Sequence, residues 1–88
     1  MIKLIDFYAD WCAPCKIMDP VIEEIEKELG GKLEVQKIDV DKNSDLQAKY
    51  NVFSIPTYVI EKDNREVERL VGARPKQQLV DILNRHLG

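Results

Sequence analysis

Both cysteines of this 88-residue chain fall in one six-residue stretch, Trp11-Cys12-Ala13-Pro14-Cys15-Lys16. Two thiols three positions apart share a face if the segment is helical, so their sulfurs can close a small disulfide ring with little backbone movement. A reversible disulfide is the natural product of that spacing. With Cys12 near a helix N-cap, its sulfur would face unpaired backbone N–H groups and the positive end of the helix dipole, which favour thiolate over thiol. Cys12 is then the better nucleophile. Cys15, one turn further in, is expected to be more shielded and to suit the role of resolving thiol, attacking after a mixed disulfide has formed. Pro14 fits the first turn, where a missing N–H costs nothing, and it stiffens the loop that holds the sulfurs.

Two other uses of a C-x-x-C pair compete with this one. Tetrahedral zinc needs four ligands, and outside the pair the soft-ligand set offers only His86 at the far end of the chain, so no metal is expected. Buried, inert cysteines are the plainer alternative. The tryptophan, proline and lysine around them sit poorly in an ordinary core.

The elements that must position these thiols can be read in order. Ile2 to Tyr8 is apolar and aromatic on both parities, as in a central strand covered on both faces. Asp6 interrupts it. A carboxylate inside such a strand would be desolvated, its pKa raised, and it would be a candidate proton carrier near neutral pH; at a half-exposed strand end it would be an ordinary surface acid. Ala13 to Leu29 reads as a helix with Ile17, Val21, Ile25 and Leu29 at every fourth position, widened by Met18 and Ile22. Pro20 should bend it, and Gly30-Gly31 should end it in left-handed backbone.

Leu33 to Val40 is the second strand and Asp45 to Tyr50 a short helix closed near Asn51. Tyr58 to Glu61 and Glu66 to Val71 form a hairpin around Lys62-Asp63-Asn64-Arg65. Pro56 belongs at a strand start or an edge, since it lacks a ladder donor. Pro75 suits the first turn of a last helix whose stripe is Leu79, Ile82, Leu83 and Leu87, with Val80 alongside, and His86 is expected on the surface.

Asp6-Phe7-Tyr8-Ala9-Asp10-Trp11-Cys12-Ala13-Pro14-Cys15-Lys16 resembles the active-site segment of thioredoxins, and Ser54-Ile55-Pro56-Thr57 and Val71-Gly72-Ala73 recur at that family's spacing. The resemblance implies a minimal thioredoxin-like α/β fold in the order β-α-β-α-β-β-α: one domain over residues 1–88, with a four-stranded mixed sheet and helices on both faces. It implies a thiol–disulfide oxidoreductase that reduces protein disulfides through Cys12 and Cys15, with no cofactor beyond that pair. In the family the Asp at this motif position lies beneath the disulfide and serves the second cysteine, so Asp6 would serve Cys15. Lys37 would match a lysine that modulates that Asp; otherwise it is a solvated lysine. Pro56 would be cis, leaving the backbone of Ile55 free to pair with an extended substrate segment. Trp11, Ala13, Pro14, Ile55, Pro56, Gly72 and Ala73 would form the docking surface. Partners would be disulfide-containing proteins and a thioredoxin reductase or other dithiol donor.

The chain departs from the pattern in several places. Thioredoxins commonly begin with a further strand and helix, so the sheet edge beside the motif strand is in question. Ala13 stands where glycine is usual, and Tyr8 where tryptophan is frequent. In size the chain is nearer to glutaredoxins, but their late Gly-Gly-Asp is replaced by Gly72-Ala73-Arg74-Pro75. An oxidant or isomerase using the same residues, and a protein-binding module with idle cysteines, remain the alternatives.

Composition is that of an ordinary globular protein, 44% hydrophobic and 33% charged, with a net charge of -3. Thirteen scattered Lys and Arg residues and a mild acidic balance give no footprint for nucleic acid. No run approaches a membrane span, and Met1 is followed at once by strand-like sequence, with no room for a signal peptide. A cytoplasmic monomer is expected.

Overall fold

The computed structural model describes residues 1–87. The elements run β1 (Ile2–Tyr8), α1 (Ala13–Leu29), β2 (Leu33–Asp39), α2 (Ser44–Lys49), β3 (Thr57–Lys62), β4 (Arg65–Val71) and α3 (Lys76–Leu87), with one turn of 3-10 helix at Gly30–Lys32. One sheet carries the order β2-β1-β3-β4. β1 is parallel to β2 and antiparallel to β3, and β3 is antiparallel to β4. The sheet is therefore mixed, as expected.

The apolar character of β1 on both parities follows from its place inside the sheet. Ile2 and Leu4 pack with Met18, Ile22 and Ile25 of α1 and with Leu79, Ile82 and Leu83 of α3. Ile5 and Phe7 face the other way, into a second cluster with Ile38, Val40, Val52 and Val59, against which Leu46 and Tyr50 of the α2 segment lie. The Phe7 and Tyr50 rings meet at 5.4 Å between centroids. Helices thus cover both faces, α1 and α3 on one and α2 on the other.

Several expectations shift in detail. The stripe of α1 is Cys15, Met18, Ile22 and Ile25, while Ile17 is 69% exposed, because a period of 3.6 residues rotates a strict every-fourth-residue row off the core face. Of Gly30 and Gly31, only Gly30 has positive φ. Pro75 precedes α3, and its carbonyl accepts the N–H groups of Gln78 and Leu79. β2 ends one residue early, α2 begins one residue early, and both hairpin strands run a residue longer toward the turn, where Asp63 and Asn64 have φ of 53° and 66°, the signature of a type I′ turn. A bulge between Ile60 and Glu61 disturbs the alternation of β4 and leaves Val67 facing solvent. His86 is half-buried, with Nε2 3.4 Å from Glu68 Oε1. β1 is flanked on both sides, so the sheet's edges are β2 and β4.

Candidate active site

Cys12 is the N-cap of α1, in extended backbone at φ -87° and ψ 107°. Its Sγ accepts the Cys15 N–H at 3.2 Å, and its carbonyl accepts the Lys16 N–H, also at 3.2 Å. The sulfur thus occupies the place where side-chain oxygens usually satisfy the open N–H groups of a helix. Cys12 and Cys15 are joined as a disulfide across a Cα–Cα distance of 5.3 Å. In this form both cysteines are equally covered, at 3% exposure, so the expected difference in shielding is absent from the residue-level burial.

The surroundings come from three loops. Trp11 is 70% exposed, and its Nε1 donates to Asp41 Oδ2 at 2.7 Å. Asp39 Oδ1, at the buried end of β2, accepts the Asp41 N–H at 2.9 Å and fixes the loop that holds the indole. The Ile55–Pro56 peptide is cis, Pro56 is buried and Ile55 half-buried. Thr57 Oγ1 donates to the Ser54 carbonyl at 2.6 Å, and the Gly72 N–H donates to the Pro56 carbonyl at 2.8 Å, so the proline loop and Gly72 are tied together. Gly72 has φ of 93°, which favours glycine. Ala13, Pro14 and Ala73 are exposed. Between Trp11, Val40, Asp41 and Ile55 lies a cleft of about 350 Å³ whose outer wall is Phe53, 91% exposed. Sequence reasoning passed over Phe53, Asp39 and Asp41; an aromatic residue three positions ahead of Pro56 was the one available signal.

Asp6 is 2% exposed, on the β1 parity that faces α1 and α3. Burial pushes its pKa up to about 6, Lys37 opposes that rise, and Asp19 adds to it. Lys37 is the register partner of Asp6 on β2. Its ammonium, however, donates to Asp19 Oδ1 at 3.1 Å and lies 5.1 Å from the centroid of the Tyr8 ring. Burial is the largest single influence and disfavours the Lys37 charge, but the Asp19 hydrogen bond and the nearby Asp19, Asp6 and Tyr8 charges together exceed it and the pKa is raised. On β3, Tyr58 is opposite Asp6, fully buried, and its hydroxyl has no partner among the described residues. Among the described residues, no three His, Cys, Asp and Glu side chains come together at metal-binding spacing, and no helix is long and apolar enough to cross a membrane.

A dithiol that closes at a helix N-terminus, beside a cis-proline loop, belongs to a thiol–disulfide oxidoreductase. Comparison with known proteins sharpens that class. The family described as Thioredoxin matches residues 1–85. The thioredoxin of Bacillus subtilis is 49% identical over 86 residues, which cover 98% of this chain and 83% of the relative. That of Staphylococcus epidermidis is 46% identical with the same coverage. Among solved structures, a point mutant of the thioredoxin of Halobacterium salinarum aligns with a TM-score of 0.92 at 38% identity, covering 99% of this chain and 75% of that one. Fasciola hepatica thioredoxin aligns at 0.90 with 40% identity, covering 97% and 80%. The chain belongs to the thioredoxin family. It is a thiol–disulfide oxidoreductase of the protein-disulfide reductase kind, working through its redox-active cysteine pair. The glutaredoxin-like, oxidant, isomerase and idle-cysteine alternatives have no better support.

Proposed function

We propose that the individual residues divide the reductase reaction as follows. The Cys12 thiolate attacks one sulfur of a substrate disulfide, forming a mixed disulfide and releasing the other substrate sulfur as thiolate. Cys15 gives its proton to Asp6, attacks Cys12 Sγ and expels the second substrate thiolate. Two electrons have then passed to the substrate, and the protein holds the Cys12–Cys15 disulfide until a reductase or small dithiol restores it. Lys37 tunes Asp6. Trp11, Ala13, Pro14, Ile55, Pro56, Gly72 and Ala73 form the docking surface, with the backbone of Ile55 pairing to an extended substrate segment, and Phe53 extends that surface.

The observation that carries the reading is the capping sulfur: Cys12 Sγ accepts the Cys15 N–H at 3.2 Å, an interaction that favours a thiolate at that position. The protein acts as a single domain and a monomer in the cytoplasm, needing no cofactor beyond the pair and binding neither nucleic acid nor membrane.

Cys12→Ser should abolish turnover of a protein disulfide, and Cys15→Ser should accumulate covalent substrate complexes; full activity in either variant would sink the assignment. Titrating the pair by Trp11 fluorescence in graded dithiol buffers should give a two-electron transition near the thioredoxin benchmark of about -270 mV. A midpoint above about -200 mV would instead mark an oxidant or isomerase.

A further inference from the structure

Asp19 is the charged group around Asp6 to which the reaction assigns no part. It stands four residues beyond Cys15 on α1, on the same side of the helix as the resolving thiol. Lys37 is paired in register with Asp6, about 4.8 Å away in the strand-spacing direction, and leaves the sheet on the same face. A lysine so placed could pair with Asp6. Instead its Nζ is 3.1 Å from Asp19 Oδ1 and rests by the Tyr8 ring, and among the described residues no hydrogen bond reaches the Asp6 carboxyl.

We propose that Asp19 is a positioning residue for the reductase reaction, holding the Lys37 ammonium against α1 and away from Asp6, so that Asp6 remains free to take the Cys15 proton. This rests on the reading of Asp6 as the proton acceptor.

The other groups around Asp6 leave that division of charge in place. β1 contributes Tyr8 and β3 the buried Tyr58 hydroxyl, while α1 carries Lys16 and Glu23 a turn either side of Asp19, both exposed. α3 presents the apolar Leu79, Ile82 and Leu83. Asp19 acts on Asp6 in two ways with the same sign: it withdraws a cation, and it adds a negative charge nearby. Both keep the Asp6 proton affinity high, in line with the opposing directions that Lys37 and Asp19 exert on it. As a plain surface ion pair, with side chains 41% and 39% exposed, Lys37–Asp19 would contribute little to stability and leave Asp6 unaffected.

The Asp6 carboxyl can be titrated directly by ¹³C NMR in the oxidised protein. Asp19→Asn should lower its midpoint by about one pH unit, tenfold in proton affinity, and Asp19→Glu should restore most of it. In a Lys37→Met background, Asp19→Asn should move the midpoint by less than half as much. The pH profile for release of a Cys12-bound substrate should shift to lower pH with the NMR midpoint. An Asp19→Asn midpoint within roughly 0.2 pH unit of the parent, or a shift of full size without Lys37, would overturn the proposal. If the NMR midpoint moves and the release profile does not, the Asp19–Lys37 device stands and the proton-acceptor role of Asp6 is what fails.

Discussion

Asp6 has opposing demands placed on it: a buried position that disfavours its charge, and the proposed role of proton acceptor, which needs that charge. A pKa near 6 reconciles them, since the group is largely ionised at neutral pH yet basic enough to accept a proton. Asp6→Asn should therefore slow release of the mixed disulfide by on the order of 10²-fold while leaving the first attack by Cys12 close to the parent rate. Single-turnover kinetics with a fluorescent protein disulfide would separate the two steps, and unchanged release would remove Asp6 from the mechanism. Tyr58, its neighbour across the ladder, bears a buried hydroxyl without a partner among the described residues, and burial holds its pKa well above the ordinary phenol value. Tyr58→Phe removes an uncompensated polar atom and should raise stability by about 1 kcal/mol in urea unfolding. A loss of that size would show that the hydroxyl is bonded in solution.

At the scale of elements, α1 does two jobs with two parts of its surface. Its N-terminus holds the sulfurs, and Met18, Ile22 and Ile25 anchor it to the sheet. Ile25→Ala, at a site with no exposure, should cost about 2–5 kcal/mol. Ile17→Ala should change stability by no more than about 0.5 kcal/mol, because that side chain already faces solvent. Equal losses in the two variants would contradict the rotation of the helix on the sheet. The loop after β4 has its own constraint in Gly72, whose φ of 93° an L side chain rarely adopts. A Cβ there meets nothing within 4 Å, so Gly72→Ala should cost roughly 1–2 kcal/mol in backbone strain alone, with no clash to relieve. It should also disturb the link from the Gly72 N–H to the Pro56 carbonyl, lowering affinity for protein disulfides more than for a small-molecule disulfide.

For the molecule as a whole, Asp6 couples stability to pH. Its pKa is 3.8 when unperturbed and about 6 in the fold, so the native state binds this proton more tightly than the unfolded chain does. That contribution is fully present below pH 3.8 and is lost as pH rises through 6. The shift corresponds to roughly 3 kcal/mol at 1.36 kcal/mol per unit. Asp6→Asn should therefore be the more stable protein at pH 8 and gain little at pH 4; urea melts at the two values test it, and a gap independent of pH would refute it. Both sheet edges bear charged or polar exposed residues, Glu34, Gln36 and Lys37 on β2 and Arg65 and Glu66 on β4, a pattern that discourages strand pairing between copies. Sedimentation should accordingly report a 10.2 kDa monomer.

Local chemistry explains what could be read from the order of residues. Two thiols at a three-residue spacing before a periodic run, a strand apolar on both parities, and a proline ahead of a hairpin each express a constraint that acts within a few residues or one turn. The order of elements and the reactive pair were legible for that reason, and the mixed sheet came from the resemblance to thioredoxins. Burial depends on which face the assembled sheet presents, so the exposure of Ile17 and the turning out of Val67 at the bulge were not. Neither was the partner of Lys37: strand register brings it beside Asp6, but the packing of α1 across the sheet delivers Asp19 to its ammonium from 18 residues away. Trp11 likewise meets Asp41 only because β2 returns beside β1. The sequence by itself determined the reactive groups and the elements that carry them, because those are short-range properties of the chain. Tertiary structure alone decided which charges face one another, because Coulomb interactions depend on distance through space.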